Sequence, residues 1–197
     1  MNPKEPFVIA SNNRAKTNEL INCFAYEGIT AISYLDLIDK QTFPNEGTNS
    51  YLENASGKAR FVSKLLPANT IVADDSGMIL DALPGKLGDQ TARQLKDYSN
   101  EEHQLNQRIL DLVGQKSRAV TMTTTLVLID GTGLFHATGE FHGEIAMKES
   151  GSNGSSFDLI LVPKGMHKTL AQLDDEQKIP LLHRTKAIVN LMRHPQE

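Results

Sequence analysis

Short apolar runs and stretches of helical spacing alternate along this chain. Phe7-Val8-Ile9-Ala10 follows Pro6 directly and predicts a short strand. The polar turn Ser11-Asn12-Asn13 comes next, and the spacing of Leu20, Ile21 and Phe24 predicts a helix from Arg14 to Ala25. A second strand is expected around Ala31-Ile32-Ser33-Tyr34, and Gln41 to Ser50, with Pro44 and Gly47, reads as loop. Ala55, Ala59, Val62 and Leu66 share a face and predict a helix from Tyr51 to Leu66, broken by Pro67. Thr70 to Ala73 then climbs as an apolar strand that ends on Asp74-Asp75-Ser76-Gly77, and Met78 to Leu83 is a strand or a turn.

Asn100 to Val113 is an amphipathic helix stopped by Gly114. Arg118 to Asp130, rich in Val and Thr, predicts a strand. It turns at Gly131-Thr132-Gly133 into a hairpin partner from Leu134 to Gly139, and Phe141 to Met147 predicts another strand. Gly151 to Ser156 reads as a flexible loop before Phe157 to Val162. Leu170 to Lys178 and Leu182 to Arg193 read as helices. Strand–helix alternation at the ends around an antiparallel middle predicts an α/β fold with a mixed sheet. With no repeat, low-complexity tract or linker, residues 1–197 are expected to form a single domain.

The apolar fraction of 39% supplies a core, but no run approaches the roughly 20 residues of a membrane span. Met1 to Pro6 lacks the apolar segment of a signal peptide. Cys23 is the sole cysteine and sits on a predicted helix face, so a buried thiol and a cytoplasmic location are expected. A net charge of −4 argues against binding a nucleic-acid polymer, though not against one nucleotide in a small basic pocket.

Candidate chemistry gathers in three places. Alternation along a strand sends Asp74 and Asp75 to opposite faces, so one can bind metal or activate water while the other braces the backbone. The helix start at Ser11, Asn12 and Asn13 exposes backbone N–H groups, and Lys16 can lean back over them, which makes an anion site. Glu46 can join Asp75 around a divalent ion while Lys58, near Glu53 and Asn54, neutralises a phosphate; the plainer alternative is surface Glu–Lys pairing. His183 and Arg184 at a helix start oppose the macrodipole, which an anionic or carbonyl-rich ligand would justify, and Lys178 lies just before them.

Together these residues resemble the inosine/xanthosine triphosphate pyrophosphatase family in order along nearly the whole chain. The family's opening [ST]-x-N-x-x-K turn is Ser11, Asn13 and Lys16. Its Glu followed by Thr-Phe-x-Glu-Asn-Ala-x-x-Lys-Ala is Glu46 and then Ser50 to Ala59. Its Ala-Asp-Asp-Ser-Gly motif runs from Ala73, and its Gly-x-Pro-Gly-x-Tyr-Ser-Ala-Arg is Gly85 to Arg93, with Gln90 in place of Tyr. The resemblance implies an α/β fold with a mixed, elongated central sheet flanked by helices, two lobes with a cleft between them, and a homodimer. It implies Mg²⁺-dependent cleavage of a nucleoside triphosphate to the monophosphate and pyrophosphate. By position, Asp75 is the general base or metal ligand, Glu46 its metal partner, Ser11, Asn13, Lys16 and Lys58 hold the triphosphate, and Ser76 contacts the substrate.

The base-reading half departs from the family. Its Gly-Phe-Gly-[YW]-Asp-Pro loop is here Gly154, Ser155, Ser156, Phe157, Asp158 and Leu159, and its Ser-His-Arg is Leu182, His183 and Arg184. Lys178 and Asp158 are retained. Losing an aromatic stack worth about 1–3 kcal/mol implies an altered base pocket. Inosine and xanthosine triphosphates are the expected substrates; the alternatives are the same chemistry on a different nucleotide, or a catalytically weak nucleotide-binding protein.

Overall fold

The computed structural model describes residues 5–44, 50–88, 91, 94, 99, 101–154, 156–193 and 195–196, apart from the side chain of Ser156. Its strands are β1 (Phe7–Ile9), β2 (Ala31–Ser33), β3 (Ile71–Leu80), β4 (Ala119–Asp130), β5 (Gly133–Ile145) and β6 (Leu161–Pro163). Its helices are α1 (Arg14–Tyr26), α2 (Tyr51–Leu65), α3 (Glu102–Val113), α4 (Asp175–Lys178) and α5 (His183–Arg193). The described strands make one six-stranded sheet in the order β2-β1-β3-β4-β5-β6. β1 runs parallel to β2 and β3, with Phe7 opposite Ala31 and Val8 opposite Ile71, whereas β5 and β6 are antiparallel with Ile145 opposite Leu161. The fold is therefore a mixed α/β sheet, as expected.

Several elements differ from the sequence expectation, each for a physical reason. β3 does not end at Asp74-Asp75; it carries both through its middle and continues to Leu80, because Met78 and Leu80 bury their side chains beyond them. β5 is one strand rather than two. Gly139 does not break it, because this position lies directly under α5: an added Cβ would stand 2.2 Å from the Ala187 amide nitrogen and 2.3 Å from the His183 carbonyl oxygen. The expected helix from Leu170 to Lys178 is a 3₁₀ turn (Leu170–Gln172) and then α4, since the Asp174 side chain accepts from the Gln177 N–H at 2.8 Å and starts a new helix. Tyr34 opens a 3₁₀ turn instead of extending β2, and Phe157 lies in another, Ser156–Leu159, ahead of β6.

The chain divides into two compact units. One comprises residues 1–75, 124–139 and 183–197. Its core joins Val8 from β1 and Ala10 just after it, Ile71 and Ala73 from β3 and Val127 from β4 to Ala55, Ala59 and Val62 of α2. Tyr34, Phe43 and Phe61 extend it through ring contacts at 5.6 and 5.9 Å between centroids. In the same unit α1 packs on α5 and on β2 and buries Leu20, Cys23 and Phe24, so the thiol is in the core as expected.

The other unit comprises residues 76–123 and 140–182. There α3 buries Ile109 and Val113 and packs against the turn Ser156–Leu159. Among the described residues no helix is long and apolar enough to cross a membrane.

Two glycines give opposite expectations. Gly139→Ala should cost about 3 kcal/mol or more, because the colliding atoms are backbone and cannot step aside. Gly57→Ala, on α2 with nothing within 4 Å of the added carbon, should gain about 0.5–1 kcal/mol. Urea unfolding midpoints of the two variants check both signs.

Candidate active site

β3 presents Asp74 and Asp75 at successive positions, and their side chains reach different helices. Lys16 Nζ of α1 lies 3.1 Å from Asp74 Oδ2, and Arg184 Nε of α5 lies 3.6 Å from the same oxygen. Asn54 Nδ2 of α2 donates to Asp75 Oδ2 at 2.9 Å, and Lys58 Nζ lies 3.7 Å from Asp75 Oδ1. Asp74 is 1% exposed and Asp75 6%, so each charge persists only because a cation meets it inside.

The electrostatics follow from this packing. Burial alone would raise the Asp74 pKa, but Lys16, Arg184 and Lys58 outweigh it and hold the carboxyl far below the ordinary range. Burial lowers the Lys16 pKa, Asp74 draws it back up, and Lys58 and Arg184 push it down further. Arg184 is anchored a second time, its Nη1 donating to Glu19 Oε2 at 2.8 Å. Burial opposes the guanidinium charge, yet Glu19 and Asp74 raise its pKa above the usual value. His183 is buried beside it, and that burial, followed by the Arg184 charge, pushes its pKa well down, so the ring is neutral. The basic helix start thus meets carboxylates of its own chain rather than requiring an external anion.

The loop into α1 is built as expected of an N-terminus. Asn13 caps it by accepting from the Lys16 N–H at 3.1 Å, and Ser11 Oγ accepts from the Asn13 N–H at 3.2 Å. Asn12, expected to bind substrate, also has partners within the chain. Its amide donates to the Gln41 carbonyl at 2.9 Å and accepts from the Tyr34 hydroxyl, so it fastens the chain near Gln41. On α2, Asn54 and Lys58 stand one turn apart on one buried face, while Glu53 points outward. Surface pairing is therefore not what Lys58 does.

Of the residues expected on the base side, Phe157, Asp158 and Lys178 lie in the second unit, and His183 and Arg184 in the first. Lys178 is buried, with Nζ donating to the Asn153 carbonyl at 3.0 Å and lying 3.6 Å from Asp158 Oδ2 and 3.7 Å from Asp175 Oδ1. Asn153 Nδ2 in turn donates to the Leu173 carbonyl at 2.8 Å and to Asp175 Oδ1 at 3.0 Å. Gly154 has φ +136°, and a Cβ there would meet Asp158 Oδ2 at 2.2 Å, so only glycine admits that carboxylate. The expected flexible loop is instead stapled along its described part. Ser152 and Asn153 N–H both donate to the Ala171 carbonyl, and Thr169 Oγ1 donates to the Ser150 carbonyl at 2.7 Å. Phe157 is half-buried, as is Ser76 on β3.

Glu46, Ser155 and the side chain of Ser156 lie outside the described residues. Among the described residues no three His, Cys, Asp or Glu side chains gather as a metal cage. Asp75 still fits magnesium, which takes hard oxygen donors and commonly needs only one or two carboxylates beside substrate phosphates. Sequence reading did not rank Asn54, Glu19 or Asn153 as site residues. The one-turn spacing of Asn54 and Lys58 was a usable signal. Glu19 and Arg184 are 165 positions apart, and no local pattern joins them.

Two lysine–aspartate pairs thus stand at neighbouring positions of one strand in a mixed α/β sheet. Residues 7–194 match the Ham1 family. A dihydroneopterin triphosphate diphosphatase from Limosilactobacillus reuteri (strain DSM 20016) is 40% identical over 190 residues, covering 96% of this chain and 97% of that one. A dITP/XTP pyrophosphatase from Oceanobacillus iheyensis is 32% identical over 188 residues, covering 93% and 94%. The solved structure of the Staphylococcus aureus Ham1 protein superposes with a TM-score of 0.77 at 30% identity, covering 95% of this chain and 96% of that one. The chain belongs to the Ham1 family. It is a nucleoside triphosphate pyrophosphatase, a hydrolase of phosphoanhydride bonds.

Asp74 makes stability pH-dependent with a defined sign. Its folded pKa is depressed, so its contribution is complete above the unfolded carboxylate value of about 4 and is lost as pH falls below it. Asp74→Asn, which removes the carboxylate charge facing Lys16 and one of the two facing Arg184, should cost about 3–5 kcal/mol at neutral pH and flatten the acid limb. Thermal unfolding between pH 3 and pH 7 checks both effects.

Proposed function

We propose that this chain hydrolyses the α–β anhydride of non-standard purine nucleoside triphosphates, ITP, dITP and XTP, to the monophosphate and pyrophosphate. The observation that carries the reading is the pair of cations, half-buried Lys16 and buried Lys58, delivered by separate helices to the two buried carboxylates of β3. Lys16, Lys58 and the Ser11–Asn13 turn bind and orient the triphosphate, offsetting charge that builds on the phosphate oxygens. Asp75 takes the proton of the attacking water. Asp74 is a weak base, because Lys16 and Arg184 stabilise its charged form, and the base role is assigned to Asp75 by resemblance. Asp75 and Glu46 would hold Mg²⁺, which when bound supplies further charge neutralisation on the triphosphate. Ser76 contacts the substrate, and Ser155, Ser156, Phe157, Asp158, Lys178, His183 and Arg184 are assigned to the base side by resemblance.

One observation favours a second substrate. The relative that is 40% identical is named for dihydroneopterin triphosphate, whereas the dITP/XTP pyrophosphatase from Nautilia profundicola is 31% identical. The substitutions at Ser155, Ser156, Leu159 and Leu182 fall in the part of the chain that reads the ring. A pterin carrying a triphosphate would use the same phosphate machinery. We take residues 1–197 as one catalytic domain, since the family match spans 7–194, and propose a cytoplasmic homodimer.

Pyrophosphate release should be measured with Mg²⁺ from ITP, dITP, XTP, GTP, a pyrimidine triphosphate and dihydroneopterin triphosphate. Release from ITP, dITP and XTP well above GTP supports the first reading. Preference for dihydroneopterin triphosphate transfers the assignment to the second, and no release from any substrate sinks both. Asp75→Asn should lower kcat by at least about a hundredfold on the preferred substrate. Lys178→Gln should raise KM about tenfold while leaving tripolyphosphate affinity unchanged, because the lysine acts on the ring side.

A further inference from the structure

Arg184, assigned by resemblance to the base, is committed in this chain to two carboxylates of its own unit. Its Nη1 donates to Glu19 Oε2 at 2.8 Å, its Nε lies 3.6 Å from Asp74 Oδ2, and that same oxygen lies 3.1 Å from Lys16 Nζ. Glu19, Arg184, Asp74 and Lys16 therefore form a line of alternating charge. Both ends of the line sit on α1, three positions apart, and α5, which packs on α1, supplies the arginine between them. Side-chain exposure is 33% at Glu19, 10% at Arg184, 1% at Asp74 and 19% at Lys16, so the inner members are the buried ones.

We propose that Glu19 is a positioning residue for the triphosphate reaction, acting through Arg184 and Asp74 to aim the Lys16 ammonium. The proposal rests on Lys16 binding the triphosphate. A lysine on a four-carbon stem has little intrinsic orientation, whereas a guanidinium held by two carboxylates is a rigid fork. Glu19 draws that fork toward α1. It keeps the guanidinium from closing fully on Asp74 Oδ2, where it would compete with Lys16. Removing the Glu19 charge releases Arg184 onto Asp74 and displaces Lys16 from its anchor. Glu19 touches neither substrate nor reacting atoms in this arrangement, and it lies outside the motifs that carry the family resemblance.

A double-mutant cycle on the full chain tests this. Tripolyphosphate affinity by calorimetry and kcat/KM for the preferred substrate are measured for the unaltered protein, Glu19→Gln, Lys16→Ala and the double variant. Glu19→Gln should weaken tripolyphosphate binding and raise KM about tenfold with kcat changed less than about threefold. The same substitution in the Lys16→Ala background should cost less than about twofold. A tenfold loss that persists in that background, or an unchanged KM in Glu19→Gln, overturns the relay while leaving the triphosphate reading intact. Unaltered tripolyphosphate affinity in Lys16→Ala overturns that reading and the relay together. Because the cycle compares backgrounds, a general loss of stability in Glu19→Gln would show as additivity and count against the proposal.

Discussion

Two adjacent carboxylates inside one strand govern the rest of this protein. Alternation along β3 sends Asp74 and Asp75 to different neighbours, and near-complete burial leaves neither accessible to enough water to carry its charge alone. Each therefore needs a cation delivered from another element. Lys16 and Arg184 arrive from α1 and α5, and Lys58 arrives from α2 with Asn54 beside it. The small residues Ala55 and Ala59, buried among Ala10 and Ala73, let α2 lie close to the strand. Core packing and charge placement are thus one arrangement.

In the proposed reading, that arrangement readies the phosphate side before substrate arrives. Cations fixed against buried carboxylates need little reorganisation when an anionic substrate binds, which is where an enzyme gains most over water. It also separates two residues of identical chemistry. Two cations make Asp74 a poor proton acceptor, and its role becomes that of a hub between Lys16 and Arg184. Asp75 meets Lys58 and the Asn54 amide on the α2 side.

The ring side is held by different means. Backbone hydrogen bonds fasten residues 150–153 to the segment from Thr169 to Leu173, and a glycine at position 154 makes room for Asp158 beside Lys178. The described contacts here are hydrogen bonds to main-chain carbonyls, given by backbone amides and by the Thr169, Asn153 and Lys178 side chains.

Local pattern determined a good deal. Periodicity located α1, α2, α3 and α5 to within a residue or two, apolar runs located β1 and the start of β3, and the motifs around Ser11, Asn13, Lys16, Lys58 and Asp75 carried the family resemblance that implied a triphosphate chemistry. Those features depend on neighbours within a turn or on strand alternation. Tertiary structure decided the rest. It carried β3 past its aspartates, because Met78 and Leu80 found a core to bury in. It kept β5 whole at Gly139, because α5 crosses that point. It also turned Arg184 toward Glu19, a pairing across 165 positions whose energy exists only once both side chains leave water together.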